Sequence, residues 1–310
     1  MKVLVTGSSG FIGSNLLKWL VENNFQVSGL DITSNPSLNN YEGKYRFVQA
    51  DLNENDFYSQ LETDYDVVYH LAAINGTANF YKMAYEVLVS GIRPTLNLLD
   101  WIDKLPKKPV FFLAGTSESY AGIFDFIEYA VPTNEQVPLV ISDIFNARWS
   151  YAAAKIASEI AVVNFCRSRD IPWIIGRFHN IYGPGMSDKH FILDFAKRVK
   201  NGRLELFGWE NTRSFMFIDH AVQALVQLVG NRDSYGKVVN IGTSRESTIL
   251  EVANLILSHM KTQGSIELYN SPDGSVMRRC PDTKLLNSLV NLGEEIDLRV
   301  GIGRTLDVML

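Results

Sequence analysis

Three glycines stand three residues apart directly after the first strand-like stretch of the chain, at Gly7, Gly10 and Gly13. Residues 1–6 are mostly apolar and residues 11–21 carry apolar side chains at helical spacing, so the order is strand, turn, helix. In that setting the glycines permit a tight turn, a close approach of the backbone to a pyrophosphate, and close packing of helix on strand. The helix N-terminus supplies N–H donors. The pattern therefore predicts a dinucleotide-binding turn.

Short apolar runs recur through the first half of the chain, separated mostly by longer helix-like segments. They cover residues 26–30, 45–48, 66–70, 109–114 and 172–177. This alternation is typical of a parallel sheet with helices on both faces. We therefore expect a doubly wound, Rossmann-type α/β fold.

The pattern changes after residue 177, where loops and helix-like segments dominate. Helices are predicted over 191–199, from Asp219 and over 248–260, and a buried-looking strand over 238–241 could return to the main sheet. We expect a nucleotide-binding domain over residues 1–177, to which residues 214–243 return, and a smaller interleaved substrate-binding cap over residues 178–213 and 244–310.

Charge and cysteine content narrow the classes of partner. The chain has 29 Lys and Arg against 34 Asp and Glu, a net charge of −5, and no basic tract long enough to follow a nucleic-acid backbone. No apolar run reaches the roughly 18 residues of a membrane helix, and the N-terminus does not resemble a signal peptide. Cys166 and Cys280 lie outside any metal-ligand spacing. We expect a cytoplasmic protein with no nucleic-acid polymer, membrane or metal partner.

Acidic residues follow the second and third predicted strands. Asp31 lies 18 residues beyond Gly13, where a carboxylate accepts hydrogen bonds from both ribose hydroxyls and repels the 2′-phosphate of NADP. This position favours NAD, although an aspartate that caps a turn is the simpler alternative. Asp51 and Leu52 follow the third strand, where they could flank the adenine, and an ordinary loop aspartate is the alternative there.

Tyr151 and Lys155 are four residues apart in a segment of strong helix formers, so their side chains share one helix face. An ammonium near a phenol stabilises the phenolate, and it can also hold a ribose. A Tyr and a Lys four residues apart also occur often by chance on surface helices that have no catalytic role. The strand over 109–114, however, runs into Thr116, Ser117 and Glu118, which places hydroxyls and a carboxylate at the ligand-binding edge of the sheet. Ordinary turn chemistry is the alternative for the two hydroxyls.

The ordered set of TGSSGFIG, Asp31, HLAA at 70–73, the Thr116 region, YAAAK and GRFHNIYGPG resembles the extended short-chain dehydrogenase/reductase family of nucleotide-sugar enzymes, from residue 1 to about 285. Members oxidise a sugar carbon, usually C4, with tightly held NAD⁺ or NADH, and then epimerise, dehydrate, decarboxylate or release the keto sugar. The resemblance implies that Tyr151 is the base, that Lys155 lowers its pKa and binds the ribose, and that Thr116 bonds the reacting oxygen. Ser117 and Glu118 then bear on specificity.

The same resemblance implies further contacts, position by position. Cofactor contacts are implied for Phe11, Ile12, Leu71, Ala72, Ala73 and Phe178, and contacts to a nucleotide-diphosphate sugar for Asn180, Lys189, Arg213 and Arg279. A solvated surface charge is the alternative for each arginine. The chain departs from the family at Gly91, where relatives carry an Asn, at Pro94 and at Ala121, where they carry Gly. The Gly91 departure leaves a cofactor-side hydrogen bond missing or remade.

Different segments resemble different reactions of the family. Ser117 replaces the acid of the 4,6-dehydratases, so dehydration is disfavoured. Thr-Ser-Glu at 116–118 and Arg279 resemble the UDP-glucuronate decarboxylases. GRFHNIYGPG and NTRSFMFID resemble the GDP-mannose 3,5-epimerases and the enzymes that oxidise GDP-heptoses, although Glu118 stands where those epimerases use a Cys. Lys189 stands where they have their second base.

The resulting expectation is oxidation at C4 of GDP-mannose or a GDP-heptose, the keto sugar being released or processed by Glu118 or Lys189. A UDP-glucuronate decarboxylase or 4-epimerase, or another UDP-sugar epimerase, is the alternative. An NADPH-dependent reductase and a non-catalytic NAD(P) sensor are more remote, since Asp31 disfavours NADPH and sensors usually lose the Tyr or the Lys. The resemblance also implies a homodimer through the helices over 87–102 and 151–167, although both helices could simply be buried within the chain.

Overall fold

The structure is a computed structural model that describes residues 1–54, 56–74, 77–126, 131–271 and 277–310, without the side chains of residues 77, 78 and 125. Within these residues the helices are α1 (Phe11–Glu22), α2 (Thr77–Lys82), α3 (Ala84–Lys104), α4 (Trp149–Arg167), α5 (Phe191–Lys200), α6 (Ile218–Gly230), α7 (Ile249–Met260), α8 (Lys284–Leu289) and α9 (Leu298–Met309). The strands are β1 (Lys2–Thr6), β2 (Gln26–Asp31), β3 (Arg46–Gln49), β4 (Val67–His70), β5 (Val110–Thr116), β6 (Trp173–Phe178), β7 (Ile181–Tyr182), β8 (Glu205–Phe207), β9 (Thr212–Ser214), β10 (Met216–Phe217), β11 (Lys237–Ile241), β12 (Glu246–Thr248), β13 (Glu267–Tyr269) and β14 (Arg278–Arg279). None of the helices in these ranges is long and apolar enough to cross a membrane.

Seven strands of the described chain form one sheet in the order β11-β6-β5-β4-β1-β2-β3. The pairs β1–β2, β1–β4, β2–β3 and β4–β5 are parallel. The chain builds outward from β1 as far as β3 and then returns to place β4 on the other side of β1. Ligands bind α/β sheets at such a reversal, outside the carboxyl ends of the strands, here after the paired residues Thr6 and His70. The predicted doubly wound fold is confirmed, and β11 returns to the sheet beside β6.

Both faces of the central strands are covered by helices. Val68 of β4 lies in a buried cluster with Ile102 of α3 and Val162 of α4. The next residue, Tyr69, is also buried, and its hydroxyl donates to the carbonyl of Leu225 in α6, 3.4 Å away. Since successive side chains of a strand point to opposite faces, these helices cover the two sides of the sheet.

The chain divides into two compact units. The first comprises Met1–Glu128, Pro138–Arg177 and Leu225–Val239, and the second comprises Tyr129–Val137, Phe178–Ala224 and Asn240–Leu310. These boundaries differ from the expected ones. The segment that returns to the first unit is 225–239 rather than 214–243, and residues 129–137 join the second unit.

Main-chain pairing explains both differences. Ser214 pairs with Glu246 where β9 meets β12, so the residues before α6 belong with the second unit. The amide of Thr133 donates to the carbonyl of Cys280 at 2.9 Å, and the amide of Asp282 donates to the carbonyl of Thr133 at 2.8 Å. Such pairings join distant parts of the chain, which a local hydrophobic pattern does not report.

Candidate active site

The predicted dinucleotide turn is packed backbone against backbone. Gly7 has a φ of +70°, and a Cβ placed on it would lie 2.6 Å from the amide nitrogen of Ala72. A Cβ on Gly13 would lie 2.1 Å from the carbonyl oxygen of Gly7. Gly10 is the N-cap of α1 and brings no side chain to that end of the helix. The turn is therefore a cradle that side chains at Gly7 and Gly13 would obstruct.

Asp31, the last residue of β2, lies beside this turn. Its Oδ2 accepts a hydrogen bond from the amide of Ser9 at 2.9 Å, and its Oδ1 accepts one from the amide of Thr33 at 3.4 Å. Two main-chain amides thus fix the carboxylate next to the glycine turn. A carboxylate in that place suits two ribose hydroxyls and disfavours a 2′-phosphate.

The other residues expected to line the cofactor cleft in the first unit flank the same turn. Phe11 and Ile12 are half-buried in the first turn of α1, and Leu71, Ala72 and Ala73 directly follow β4. The amide of Leu71 donates to the carbonyl of Thr6 at 3.1 Å. This bond ties the end of β4 to the end of β1, so residues 71–73 run beside the turn.

Asp51 and Leu52 have protein contacts of their own. The Oδ1 of Asp51 accepts a hydrogen bond from the amide of Asn53 at 2.9 Å, as a loop aspartate does. Leu52 is 3% exposed and belongs to the main core of the first unit. Their contact with an adenine stays a prediction.

The residues present fit NAD. A cradle without side chains, the N-terminus of α1 and the carboxylate of Asp31 are the three elements that bind a pyrophosphate and an unphosphorylated ribose. Among the described residues, no group of three or more His, Cys, Asp or Glu side chains is arranged to hold a metal ion.

Tyr151 and Thr116 meet at the carboxyl edge of the sheet, from α4 and from the end of β5. Their side chains share a hydrogen bond, and the Oγ1 of Thr116 also accepts the amide of Glu118 at 3.2 Å. Tyr151 is 8% exposed, and this burial raises its pKa to about 12. The hydrogen bond with Thr116 acts in the opposite direction, because it stabilises the phenolate, and the charge of Glu118 adds to the rise.

Lys155 lies one helical turn after Tyr151. Its Nζ donates to the carbonyl of Ala114 at 2.9 Å and lies 6.0 Å from the ring centroid of Tyr151. Burial lowers the pKa of Lys155 to about 8, and the charge of Glu159 opposes that shift. The family resemblance implies that Lys155 depresses the pKa of Tyr151. In the structure the pKa of Tyr151 is raised by burial and by the charge of Glu118, so the effect implied for Lys155 stays a prediction.

Ser117 and Glu118 begin a 3₁₀ helix, Ser117–Asp125, that follows β5. Ser117 is 6% exposed, whereas the side chain of Glu118 is 28% exposed. The Oε2 of Glu118 lies 4.0 Å from Nη2 of Arg148, the residue before α4. Near Tyr151 the structure therefore places an accessible carboxylate with a cation beside it.

The departure at Gly91 has a packing cause. A Cβ on Gly91 would lie 2.6 Å from the Cβ of Ala154, which stands between Tyr151 and Lys155 on α4. The carbonyl of Gly91 accepts a hydrogen bond from the hydroxyl of Ser158 at 2.8 Å. An Asn side chain does not fit here, and the Ser158 hydroxyl supplies a bond between α3 and α4 instead.

The departures at Pro94 and Ala121 both lie in buried positions. Pro94 lies inside α3, and Ala121 packs on Trp149 and Ala152. Neither residue is open to a ligand in the first unit.

The two arginines expected to bind the substrate lie side by side in the second unit. Arg213 of β9 and Arg279 of β14 are directly paired in a parallel register. The Nη1 of Arg213 donates to the carbonyls of Thr212 at 2.7 Å and Met277 at 3.1 Å. The register thus puts two arginines at adjacent positions of neighbouring strands, and arginine is a residue type suited to binding a diphosphate.

The remaining predicted residues, Phe178, Asn180 and Lys189, differ in their surroundings. Asn180 has a φ of +30°, and its Nδ2 is buried with no hydrogen-bond partner in the described part of the chain. A buried unpaired donor on a strained backbone is typical of a ligand contact. Phe178 ends β6, and Lys189 is exposed, so their ligand contacts stay predictions.

Several residues near Tyr151 were not predicted from the sequence. Phe80 packs on the ring of Tyr151, and Glu159, Arg177 and Tyr120 form a buried polar cluster. Glu159 follows Lys155 by four residues on the same helix, a spacing that could have pointed to it. No sequence spacing points to Phe80 in the same way. It lies far from Tyr151 along the chain and contacts it only because the tertiary fold brings α2 against α4.

The chain is similar to known proteins in sequence and in fold. The sequence model described as the NAD dependent epimerase/dehydratase family matches residues 3–242. A Methanocaldococcus jannaschii protein, provisionally named UDP-glucose 4-epimerase, is 29% identical over 99% of this chain and 98% of its own length. The UDP-N-acetyl-alpha-D-glucosaminuronate decarboxylase of Bacillus cytotoxicus is 27% identical over 98% of this chain and 96% of its own. The crystal structure of UDP-glucuronic acid 4-epimerase from Bacillus cereus, with UDP-glucuronic acid and NAD, has the same fold, with a TM-score of 0.86, 24% identity, and coverage of 99% of this chain and 98% of that one.

Proposed function

The chain belongs to the NAD-dependent epimerase/dehydratase family, and from that membership we propose that it oxidises a UDP-sugar at C4, with Tyr151 taking the hydroxyl proton. The observation that carries this proposal is the meeting of Tyr151, Thr116 and Lys155 at the sheet edge that also carries the glycine turn. A proton acceptor, a hydroxyl that bonds it and a cation are the groups that oxidation of an alcohol requires.

In this proposal some residues of the chain bind NAD and others accept the hydroxyl proton. The glycine turn and Asp31 would hold NAD, which when bound takes up the hydride that leaves C4 as the alcohol becomes a ketone. The C4 hydroxyl proton goes to Tyr151, which must first be a phenolate. The hydrogen bond from Thr116 favours that form, since it stabilises negative charge on the phenol oxygen. We assign the same role to the Lys155 ammonium, whose Nζ lies 6.0 Å from the centroid of the Tyr151 ring.

The proposed substrate class is UDP-sugars rather than the GDP-sugars expected from two motifs. The segments GRFHNIYGPG and NTRSFMFID suggested GDP-mannose or a GDP-heptose. The full-length relatives from Methanocaldococcus jannaschii and Bacillus cytotoxicus carry names that specify UDP-sugars, and they give a GDP-sugar no support. The UDP-sugar alternative is therefore the better supported one.

Among UDP-sugars, a hexuronate is the substrate that the Thr116-Ser117-Glu118 segment favours. This segment resembles the decarboxylases, and one full-length relative is named for that reaction. Oxidation of a hexuronate at C4 places the ketone β to the C6 carboxylate. The C5–C6 bond then breaks, CO₂ leaves, and the electron pair passes to the C4 oxygen as an enolate until C5 takes up a proton. Glu118 is accessible and close to Tyr151, and it is the residue proposed to supply that proton to C5.

A UDP-hexose 4-epimerase is the second candidate, favoured by the name of the Methanocaldococcus jannaschii relative. In that case C4 is oxidised and then reduced on its other face, and no carbon is lost. The two candidates share Tyr151, Lys155 and Thr116 and differ only in the fate of the C4-keto sugar.

The proposal is tested by incubating the purified protein and NAD with UDP-glucuronate, UDP-N-acetylglucosaminuronate, UDP-glucose and GDP-mannose, and identifying products by NMR. Release of CO₂ from a UDP-hexuronate supports decarboxylation, whereas inversion at C4 of UDP-glucose supports epimerisation. Turnover of GDP-mannose alone would overturn the UDP assignment. Tyr151→Phe is expected to bind NAD and to lack hydride transfer, and undiminished turnover by that variant contradicts the proposed base.

A further inference from the structure

A buried cluster of three polar side chains joins β6, α4 and the 3₁₀ helix that follows β5. Arg177 of β6 donates through Nε to the Oε1 of Glu159 at 3.1 Å and through Nη2 to its Oε2 at 2.7 Å. The Nη1 of Arg177 donates to the hydroxyl of Tyr120 at 2.9 Å. Arg177 and Glu159 are only 4% and 5% exposed, and Tyr120 is 2% exposed. The proposed catalytic chemistry uses none of these residues.

The cluster touches the strand end that carries Thr116. A Cβ on Gly115 would lie 2.9 Å from the Oε1 of Glu159 and 3.1 Å from the Cγ of Arg177, so the cluster packs directly on the Cα of Gly115. One turn earlier on α4, Lys155 donates to the carbonyl of Ala114. Lys155 and Glu159 thus hold consecutive residues of β5, immediately before the threonine that bonds Tyr151.

The charges around Lys155 give Glu159 a second effect. Burial disfavours the ammonium, and Glu159 is the group whose charge works against that loss. Among the described residues, the ionisable groups near this part of α4 include Tyr151, His70 on β4, Arg177 on β6, Glu118 and Tyr120 on the 3₁₀ helix, and Arg148 beside Glu118. The charged side chains Glu86 and Arg93 of α3 are exposed. His70 is buried, and the cation at Lys155 lowers its pKa further, so His70 stays neutral at pH 7 and does not replace Glu159.

We propose that Glu159, held in place by Arg177 and Tyr120, is a positioning residue that keeps Lys155 charged and fixes residues 114–116 for Tyr151. Its effect on turnover rests on the proposed function. Its effect on the charge of Lys155 does not, because that charge is a property of the protein alone. The two parts therefore have separate measurements.

The charge of Lys155 is measured by NMR titration of ¹³C-lysine-labelled protein without substrate, the resonance being identified by its loss in Lys155→Ala. Glu159→Gln keeps the shape of the side chain and removes its charge, and we expect the titration of Lys155 to move down by about one pH unit. Glu159→Asp, which keeps the charge, is expected to leave the midpoint within about 0.3 pH units of the wild type. An unmoved midpoint in Glu159→Gln, or equal movement in both variants, overturns the inference.

Turnover supplies the second measurement once a substrate is known. We expect Glu159→Gln to lower kcat by about tenfold with little change in KM, because Tyr151 and Thr116 lose their alignment while the binding residues remain. The basic limb of the profile of kcat against pH, where Lys155 loses its proton, is expected to move to lower pH in Glu159→Gln. It is expected to stay in place in Glu159→Asp. Equal kcat in all three proteins contradicts the positioning role. Lack of turnover in the wild type contradicts only the proposed function, since the NMR titration still decides the charge of Lys155.

A variant that leaves every charge in place covers the case in which Glu159→Gln does not fold. Gly115→Ala puts a methyl group 2.9 Å from the Glu159 carboxylate and must displace it. The Lys155 titration is then expected to move in the same direction by a smaller amount. Gly230→Ala is the matched control, because a Cβ added there, at the end of α6, meets no neighbouring element within 4 Å and lies outside the cluster. A Lys155 midpoint equal in Gly115→Ala and Gly230→Ala overturns the inference.

Discussion

The ring of Phe80 lies almost flat on the ring of Tyr151, with 4.9 Å between the ring centroids and 10° between the ring planes. Phe80 belongs to α2 and is 6% exposed. It covers one face of the phenol and so adds to the burial that raises the pKa of Tyr151. One apolar side chain therefore both orients the proposed base and excludes water from it.

Phe80→Ala is expected to lower kcat by about tenfold or more, because the ring of Tyr151 loses the surface that fixes its position. The pKa of Tyr151 should also fall toward the ordinary phenol value of about 10 as burial decreases. Steady-state kinetics measures the first effect. The second is the difference between the ultraviolet phenolate titrations of Phe80→Ala and of Phe80→Ala combined with Tyr151→Phe.

Tyr81→Ala is the matched control for that variant, since Tyr81 is the next residue of α2 and is 57% exposed. It should leave both quantities near their wild-type values. A Tyr151 pKa that remains near 12 in Phe80→Ala would show that the stack does not cause the raised value.

Asp31→Asn is expected to weaken the preference for NAD over NADP by about tenfold, or about 1.4 kcal/mol. The substitution removes the negative charge and leaves an oxygen that can accept the amide of Ser9, so the turn keeps its backbone contact. Titration calorimetry with both cofactors measures the ratio of dissociation constants. Asp103→Asn makes the same charge change at an exposed partner of Arg169 and should not alter the ratio. An unchanged ratio in Asp31→Asn rules out this carboxylate as the selector.

His70 is the centre of a buried hydrogen-bond chain between β1, α3 and α4. Its Nδ1 lies 2.8 Å from the Oγ1 of Thr6 and its Nε2 lies 3.1 Å from the Oγ1 of Thr95. The Thr95 hydroxyl donates to Ser158 at 3.4 Å, and Ser158 donates to the carbonyl of Gly91. Burial, with a smaller contribution from the charge of Lys155, lowers the pKa of His70 to about 3. The neutral ring completes this chain.

This depressed pKa predicts a loss of stability in acid. Between pH 6.5 and pH 3 the unfolded chain binds a proton at His70 and the folded chain does not, so the free energy of unfolding decreases as pH falls. Proton uptake at His70 lowers the free energy of unfolding by up to about 1.4 kcal/mol for each pH unit below pH 6.5. Well above pH 6.5 this loss of stability is absent. Urea unfolding of the wild type and of His70→Gln at about pH 7 and pH 5 measures it.

His70→Gln is expected to be less stable at neutral pH and to lose less stability on acidification than the wild type. His259→Gln changes an exposed histidine bonded to Asp307 and serves as the control for the substitution itself. If the free energy of unfolding falls equally with pH in His70→Gln and in the wild type, proton uptake at His70 does not cause the loss of stability in acid.

Local spacing predicted the local geometry of three parts of the candidate site, whose roles stay predictions. The turn of Gly7 and Gly13, the carboxylate of Asp31, and the shared face of Tyr151 and Lys155 all depend on residues close in sequence, where strand and helix periods fix the geometry. The family resemblance added Thr116.

Long-range packing decided what the sequence did not predict. Arg177 meets Glu159 and Tyr120 because β6, α4 and the segment after β5 converge in three dimensions. The loop at Thr133 joins the second unit through bonds to Cys280 and Asp282, far along the chain. The proposed substrate class differs from the sequence expectation for a related reason: short motifs resemble those of GDP-sugar enzymes, whereas relatives that match over nearly the whole chain are named for UDP-sugars.

Helices α3 and α4 carry exposed apolar side chains that predict a homodimer. Tyr85 and Leu96 of α3 are 71% and 44% exposed, and Ile160 of α4 is 59% exposed. The opposite sides of both helices are buried against the sheet, so burial within the chain accounts for only one face of each. Association of two copies would remove the remaining apolar surface from water, at about 25 cal/mol per Å².

We expect the wild type to have the mass of a dimer in light scattering, and Leu96→Glu combined with Ile160→Glu to have the mass of a monomer. The introduced carboxylates are solvated in the monomer and unpaired in a buried interface, which is why they act on association. The free energy of unfolding of the separated chain should change by no more than about 0.5 kcal/mol per site, as for other surface substitutions. Val300→Glu on α9, 47% exposed, is the control and should remain dimeric. A monomeric wild type, or a dimer that survives both glutamates, contradicts an interface formed by these two helices.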